Sequence, residues 1–181
     1  MTEFDELCSS LLEEAKRFLE KAVETSAGEA KVAYCHSAIL IGISSLEAYV
    51  NGIAEDFIIW KDIPLIEKSL LGEKEIELKN GVFRLTNKLR MYRLTDRIEY
   101  IYRKFKSYAL KGDSEPWWSD LKSSINLRNK LVHPKANLEI DEKQVRLLLQ
   151  SVINCLTTLS EAIYNKEFPF KNLGLQSKMT Y

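Results

Sequence analysis

Apolar residues recur along most of this 181-residue chain at three- and four-residue steps, the spacing of one buried helical face. Over residues 2–25 they are Leu7, Leu11, Leu12, Ala15, Phe18, Leu19 and Ala22, and Gly28 stands where a helix C-cap belongs. Residues 29–60 are apolar around most of the circumference (Ile39, Ile43, Leu46, Val50, Ile53, Phe57), which predicts the central helix of a bundle. Pro64 opens a short helix, PLIEKSLL, that Gly72 ends. The stretch GEKEIELKNG reads as a polar, partly helical connection, and a basic, aromatic helix is expected over 82–110. A further helix has Asp113 or Ser114 as N-cap and Pro116 in its first turn, where proline is tolerated. It runs to Leu131 and stops, because Pro134 pushes His133 out of the α region. The last helix starts near Asp141, with Gln144 three residues on as a near capping box, and buries Val145 through Ile163 at helical spacing. No strand alternation or internal repeat stands out. The pattern predicts an all-α fold, an antiparallel bundle of about five helices in one domain (1–167), followed by a loosely packed extension (168–181).

Composition narrows the setting. A chain of this length buries a core without disulfides or metal staples, and 45% hydrophobic with 29% charged residues is ordinary for a soluble protein. Cys8, Cys35 and Cys155 are far apart and odd in number, the pattern of a reduced, cytoplasmic protein with no zinc site. The acidic, amphipathic start lacks a secretory pattern, and Glu47, Asn51, Glu55 and Asp56 interrupt the most apolar run, which argues against a membrane span. Net charge is zero but unevenly spread: residues 82–111 hold nine bases against Asp96 and Glu99. Arg84, Lys88, Arg90, Arg93 and Arg97 in that stretch are candidate RNA contacts, with Tyr92 and its neighbouring aromatics able to stack bases. The competing reading is a solvated basic face over buried aromatics. His36 reads as a hydrogen-bonded core or interface histidine, and Trp117-Trp118 as a packing anchor or dimer contact.

The chemistry-bearing stretch is INLRNKLVHP, residues 125–134. Arg128 and His133 are five residues apart, about 140° around a regular helix, so their side chains converge only if the helix ends between them. Without convergence they are cations that complement the negative end of a helix, as Lys130 also does.

Three features combine: SSLEAYVNGIAEDF in the long second helix, RNKLVHP at the end of the penultimate one, and an apolar closing helix. Together they resemble the HEPN superfamily (higher eukaryotes and prokaryotes nucleotide-binding), whose mark is an Arg, usually followed by a polar residue such as Asn, with four to six residues before a His; here four separate Arg128 from His133 and Asn129 is the polar residue. The resemblance covers residues 3–165 and implies a metal-independent endoribonuclease with no cofactor, acting on RNA as a homodimer in toxin–antitoxin or antiviral defence, with an antitoxin or regulatory protein as partner. Other members are non-catalytic modules that bind RNA or protein. Arg128 and His133 are the catalytic candidates, and Asn129, Glu47 and Asn51 the supporting ones. Lys135 stands where HEPN toxins paired with nucleotidyltransferases carry a modifiable Tyr, so that mode of control is not implied. Chemically, histidine gives and takes protons near neutral pH, and a guanidinium fork fits the oxygens of a phosphorane.

Overall fold

The computed structural model describes residues 3–59, 62–112, 115–168 and 172–180. Among these the chain is mostly helical, with six helices and one two-stranded sheet. In order they are α1 (Glu3–Glu24), α2 (Gly28–Ile58), α3 (Leu65–Gly72), β1 (Lys74–Lys79), β2 (Val82–Leu89), α4 (Leu94–Lys106), α5 (Pro116–Val132) and α6 (Glu142–Tyr164).

The long apolar α2 touches each of the other five helices. Its Ile39, Ile43, Leu46, Val50 and Ile53 are buried, each such side chain contributing about 1.5–3 kcal/mol of burial free energy. Gly42 lets it pack close to α1 and α6: a Cβ there would sit 2.8 Å from Leu149 Cδ2 and 3.8 Å from Ala15 Cβ. Helices α2 and α6 are long and apolar enough to cross a membrane, but 61% and 50% of their most apolar stretches lie buried inside the fold.

Helix boundaries follow local chemistry. The capping box of α6 is complete: Asp141 Oδ1 accepts from the Gln144 N–H at 2.9 Å, and Gln144 Oε1 accepts from the Asp141 N–H at 3.0 Å. Pro116 occupies the first turn of α5, and His133 ends that helix with φ −123° and ψ 66°, outside the α region as Pro134 requires. Gly28 is the first residue of α2, not the cap of α1, which already ends at Glu24. The expected helix limits at Thr2 and Trp60, and the expected N-cap at Asp113 or Ser114, lie outside the described residues.

Two expectations are corrected. Residues 82–110 are not one helix: β1 and β2 form an antiparallel hairpin, and α4 begins only at Leu94. The turn is Asn80-Gly81, both left-handed (φ 53° and 77°), the backbone of a type I′ hairpin loop. Ile76 faces Leu85 and Leu78 faces Phe83 across the ladder, so the hairpin has an apolar and a polar side. The architecture is therefore six helices plus a hairpin, rather than about five helices.

The tail is also not loosely packed. Phe168 is buried edge-on against Tyr49, with ring centroids 5.1 Å apart. Farther on, Lys16 donates to the Asn172 carbonyl (2.8 Å), Ser177 Oγ to the Glu13 carbonyl (2.8 Å), and the Lys178 N–H to Glu13 Oε2 (2.6 Å). Burial alone would raise the Glu13 carboxyl, but the donors from Lys178, Lys16 and Asn172 outweigh it and hold the group below its ordinary value. A depressed carboxyl stabilises the fold above its unfolded pKa, and that contribution is lost as pH falls through the folded pKa. Acidification below about pH 4 is thus expected to release residues 172–180 from α1. The check is the Lys178 amide resonance, which should move towards its unstructured position over that range; a resonance that stays put rules out this anchor.

Candidate functional site

Arg128 lies on the inner side of α5, half-buried, with Nη2 paired to Glu47 Oε1 of α2 and Nη1 donating to Asn129 Oδ1 at 3.2 Å. The α2 carboxylate that the sequence offers as a positioning group is therefore in contact with Arg128. Asn51, one turn on along α2, has a different partner. It accepts from Arg97 Nη2 at 3.0 Å and touches neither Arg128 nor His133 through a hydrogen bond.

Arg97 is the buried hub of this region. Only 4% exposed, it donates Nη2 also to the Leu71 carbonyl (2.9 Å) and pairs Nη1 with Glu73 Oε2 (3.2 Å), while its Nε–H is buried without an acceptor. Burial pulls its guanidinium below the ordinary value, against the opposing pull of Glu73 and Glu47. Glu73 is set by the end of α3, where it adopts φ 49°, and its other oxygen accepts from the Tyr92 N–H at 3.3 Å. Nothing local in the sequence marks Glu73 as part of a site.

These groups line a cavity of about 350 Å³ between α2, α4 and α5, bounded by Glu47, Asn51, Glu73, Arg93, Arg97 and Arg128 with Tyr92 and Ile125. His133 is not in it. As the C-cap of α5 its backbone N–H donates to the Asn129 carbonyl (2.9 Å), and its exposed side chain lines a second concavity of about 540 Å³ with Asn126, Lys130, Lys135 and Asn137. Helix α5 ends at Val132, between the two residues, yet their side chains line different concavities. No hydrogen bond or ion pair joins Arg128 to His133 among the described residues. Asn129 borders both concavities.

No protein-family model, curated protein or solved structure matches this chain.

The basic candidates are distributed rather than gathered on one helix. Arg84 and Lys88 are exposed on β2, with Arg84 Nε donating to Glu77 at 2.7 Å and Lys88 4.0 Å from Glu75. The Arg90 guanidinium lies 5.2 Å from the centre of the Tyr92 ring. Arg93 occupies the N-cap position of α4, and Arg97 is interior, which removes it from any surface RNA track. The sequence predicts a hydrogen-bonded His36; its Nε2 is instead buried without a partner. Burial pushes the Cys8 thiol up to about 12 and raises that of Cys155 further, so neither forms a thiolate near neutral pH. Among the described residues, no group of three or more His, Cys, Asp or Glu could hold a metal ion.

Proposed function

We propose that this chain is a soluble, cytoplasmic HEPN-type endoribonuclease, an antiparallel helical domain (residues 1–167, with 168–181 as an extension) that acts as a homodimer. In this reading His133 removes the proton from a ribose 2′-OH, whose oxygen attacks the adjacent phosphorus. The 5′-oxygen then leaves with a proton from the second subunit's imidazole. Arg128 neutralises the phosphorane, and Glu47 holds the guanidinium in place. Products are a 2′,3′-cyclic phosphate and a 5′-hydroxyl, and neither metal nor cofactor takes part. Toxin–antitoxin or antiviral defence, with an antitoxin or regulatory protein as partner, is the setting that suits such an activity.

One observation carries the reading. Asn129 borders both the concavity of Arg128 and that of His133, so an RNA strand seated on Asn129 can reach a guanidinium and an imidazole. The test is end-group analysis of RNA incubated with purified protein in EDTA. Cyclic-phosphate and 5′-hydroxyl ends are expected; cleavage that needs a divalent ion, or that leaves 3′-hydroxyl ends, argues against this chemistry.

A non-catalytic module that binds RNA or protein is the second reading. It is favoured by the lack of any bond between Arg128 and His133, and by the exposed apolar tip of the hairpin at Leu78 and Phe83. Salt-sensitive RNA retention, with no cleavage by either the parent or a His133→Ala variant, selects it.

A further inference from the structure

The outer edge of β1 is open, and its residues fit a second copy of the same strand. Lys79 and Val82 flank the two-residue loop, so they form a hydrogen-bonded pair, and the ladder alternates from there. Glu77 and Arg84 bond across it in turn. Ile76 and Leu78 therefore aim their N–H and carbonyl groups away from β2. Among the described residues the sheet has no third strand to receive them. An edge of this kind is a template for another strand. The hairpin is also short of support: a sheet needs about three or more strands with an apolar face to hold on its own, and Leu78 and Phe83 at its tip are exposed.

Charge and register select the occupant. Strand β1 reads Lys74-Glu75-Ile76-Glu77-Leu78-Lys79, with acids and bases on one strand. Two copies pairing antiparallel must set outward residues opposite outward residues, so a two-fold axis can pass only through a residue. An axis at Glu77 places Ile76 opposite the partner's Leu78 and Glu75 opposite the partner's Lys79, each twice by symmetry. Glu77 then meets its own copy, but each carboxylate is already held by Arg84 Nε at 2.7 Å. An axis at Ile76 instead sets Glu75 against the partner's Glu77. An axis at Leu78 sets Ile76 against the partner's Asn80, whose left-handed backbone has left the ladder. Strand β2 offers no such match, because its charges, Arg84 and Lys88, are both basic.

We propose that β1 pairs antiparallel with β1 of a second copy about a two-fold axis at Glu77, giving a four-stranded sheet. The two apolar faces become continuous. Each exposed tip lies beside the root of the other hairpin, where α3 packs on both strands. This contact shares with the nuclease reading only the use of two copies, and it involves neither Arg128 nor His133.

Sedimentation of the full chain and oxidative cross-linking test it together. The parent should self-associate, and His133→Ala should do so equally. Lys79→Glu, at an exposed position, turns two attractive pairs into repulsive ones and should weaken association about tenfold or more. Glu75→Lys/Lys79→Glu restores opposite charges between copies and should recover most of the loss. Glu77→Cys should form a disulfide-linked dimer under mild oxidant, since facing Cα atoms at a non-hydrogen-bonded pair lie about 4.5 Å apart. Glu75→Cys should not, being about 14 Å from its copy; the native Cys8, Cys35 and Cys155 are buried. A parent that stays monomeric at near-millimolar concentration overturns the proposal. So do a double variant as weak as Lys79→Glu, or cross-linking at residue 75 in preference to 77. Hairpin variants that lower RNA retention without altering sedimentation assign the edge to RNA and overturn it too. No readout of association depends on RNA cleavage, so the two readings fail separately.

Discussion

His133→Ala is expected to slow RNA cleavage by about 10²–10⁴-fold, the usual contribution of a positioned acid–base group, with folding intact. The structural basis for intact folding is direct. The imidazole is exposed, it makes no side-chain hydrogen bond among the described residues, and the backbone bond to Asn129 survives the substitution. Arg128→Ala is a less clean probe, because it strips a half-buried partner from Glu47 and alters the wall of the cavity. Arg128→Lys retains the charge but not the fork, and should recover the pairing with Glu47 better than the rate. An alanine variant that cuts as fast as the parent would remove His133 from the chemistry.

Glu73→Ala is expected to cost about 3 kcal/mol of stability, the low end of what breaking a buried ion pair costs, since Glu73 keeps some contact with water. The loss comes from what remains: Arg97 stays charged and interior, without the carboxylate that faces Nη1 and with an Nε–H already lacking an acceptor. Arg97→Met should be milder, at about 1–3 kcal/mol. It withdraws the charge along with the side chain and leaves the Leu71 carbonyl and Asn51 without their donor and Glu73, which keeps contact with water, without its cation. Urea denaturation measures both, as a shift of midpoint at constant slope. If the two variants rank in the opposite order, an uncompensated interior charge is not what destabilises this region.

What the sequence reveals here depends on how local the cause is. The stop at His133-Pro134, the capping box at Asp141 and the buried face of α2 are all written in residues close to one another, and the structure carries each of them. Glu47 was also visible as a positioning group for Arg128 or His133, because a carboxylate on the apolar second helix needs a partner. The hairpin was legible in principle: Asn80-Gly81 between alternating residues is a strong type I′ signal. It was masked by the glutamates and lysines of KEIELK, good helix formers that tertiary pairing overrides. The engagement of Asn51 by Arg97, and the burial of Arg97 itself, rest on contacts 46 and 26 residues apart in the chain. A basic stretch reads as solvated until such contacts are seen. Helix α5 ends between Arg128 and His133, close to where the sequence puts the stop, but which concavity each side chain lines depends on packing with other elements that the local residues do not encode.

That placement sets the sharpest question, since one protomer holds the guanidinium and the imidazole in different concavities that both include Asn129. Mixing the parent with excess His133→Ala protein under conditions that exchange subunits addresses it. A cleft that needs the imidazoles of both protomers predicts that mixed dimers do not cut, so cleavage in EDTA falls as the square of the parent's share. Cleavage that falls only in proportion to that share, with subunit exchange proven, contradicts the shared site.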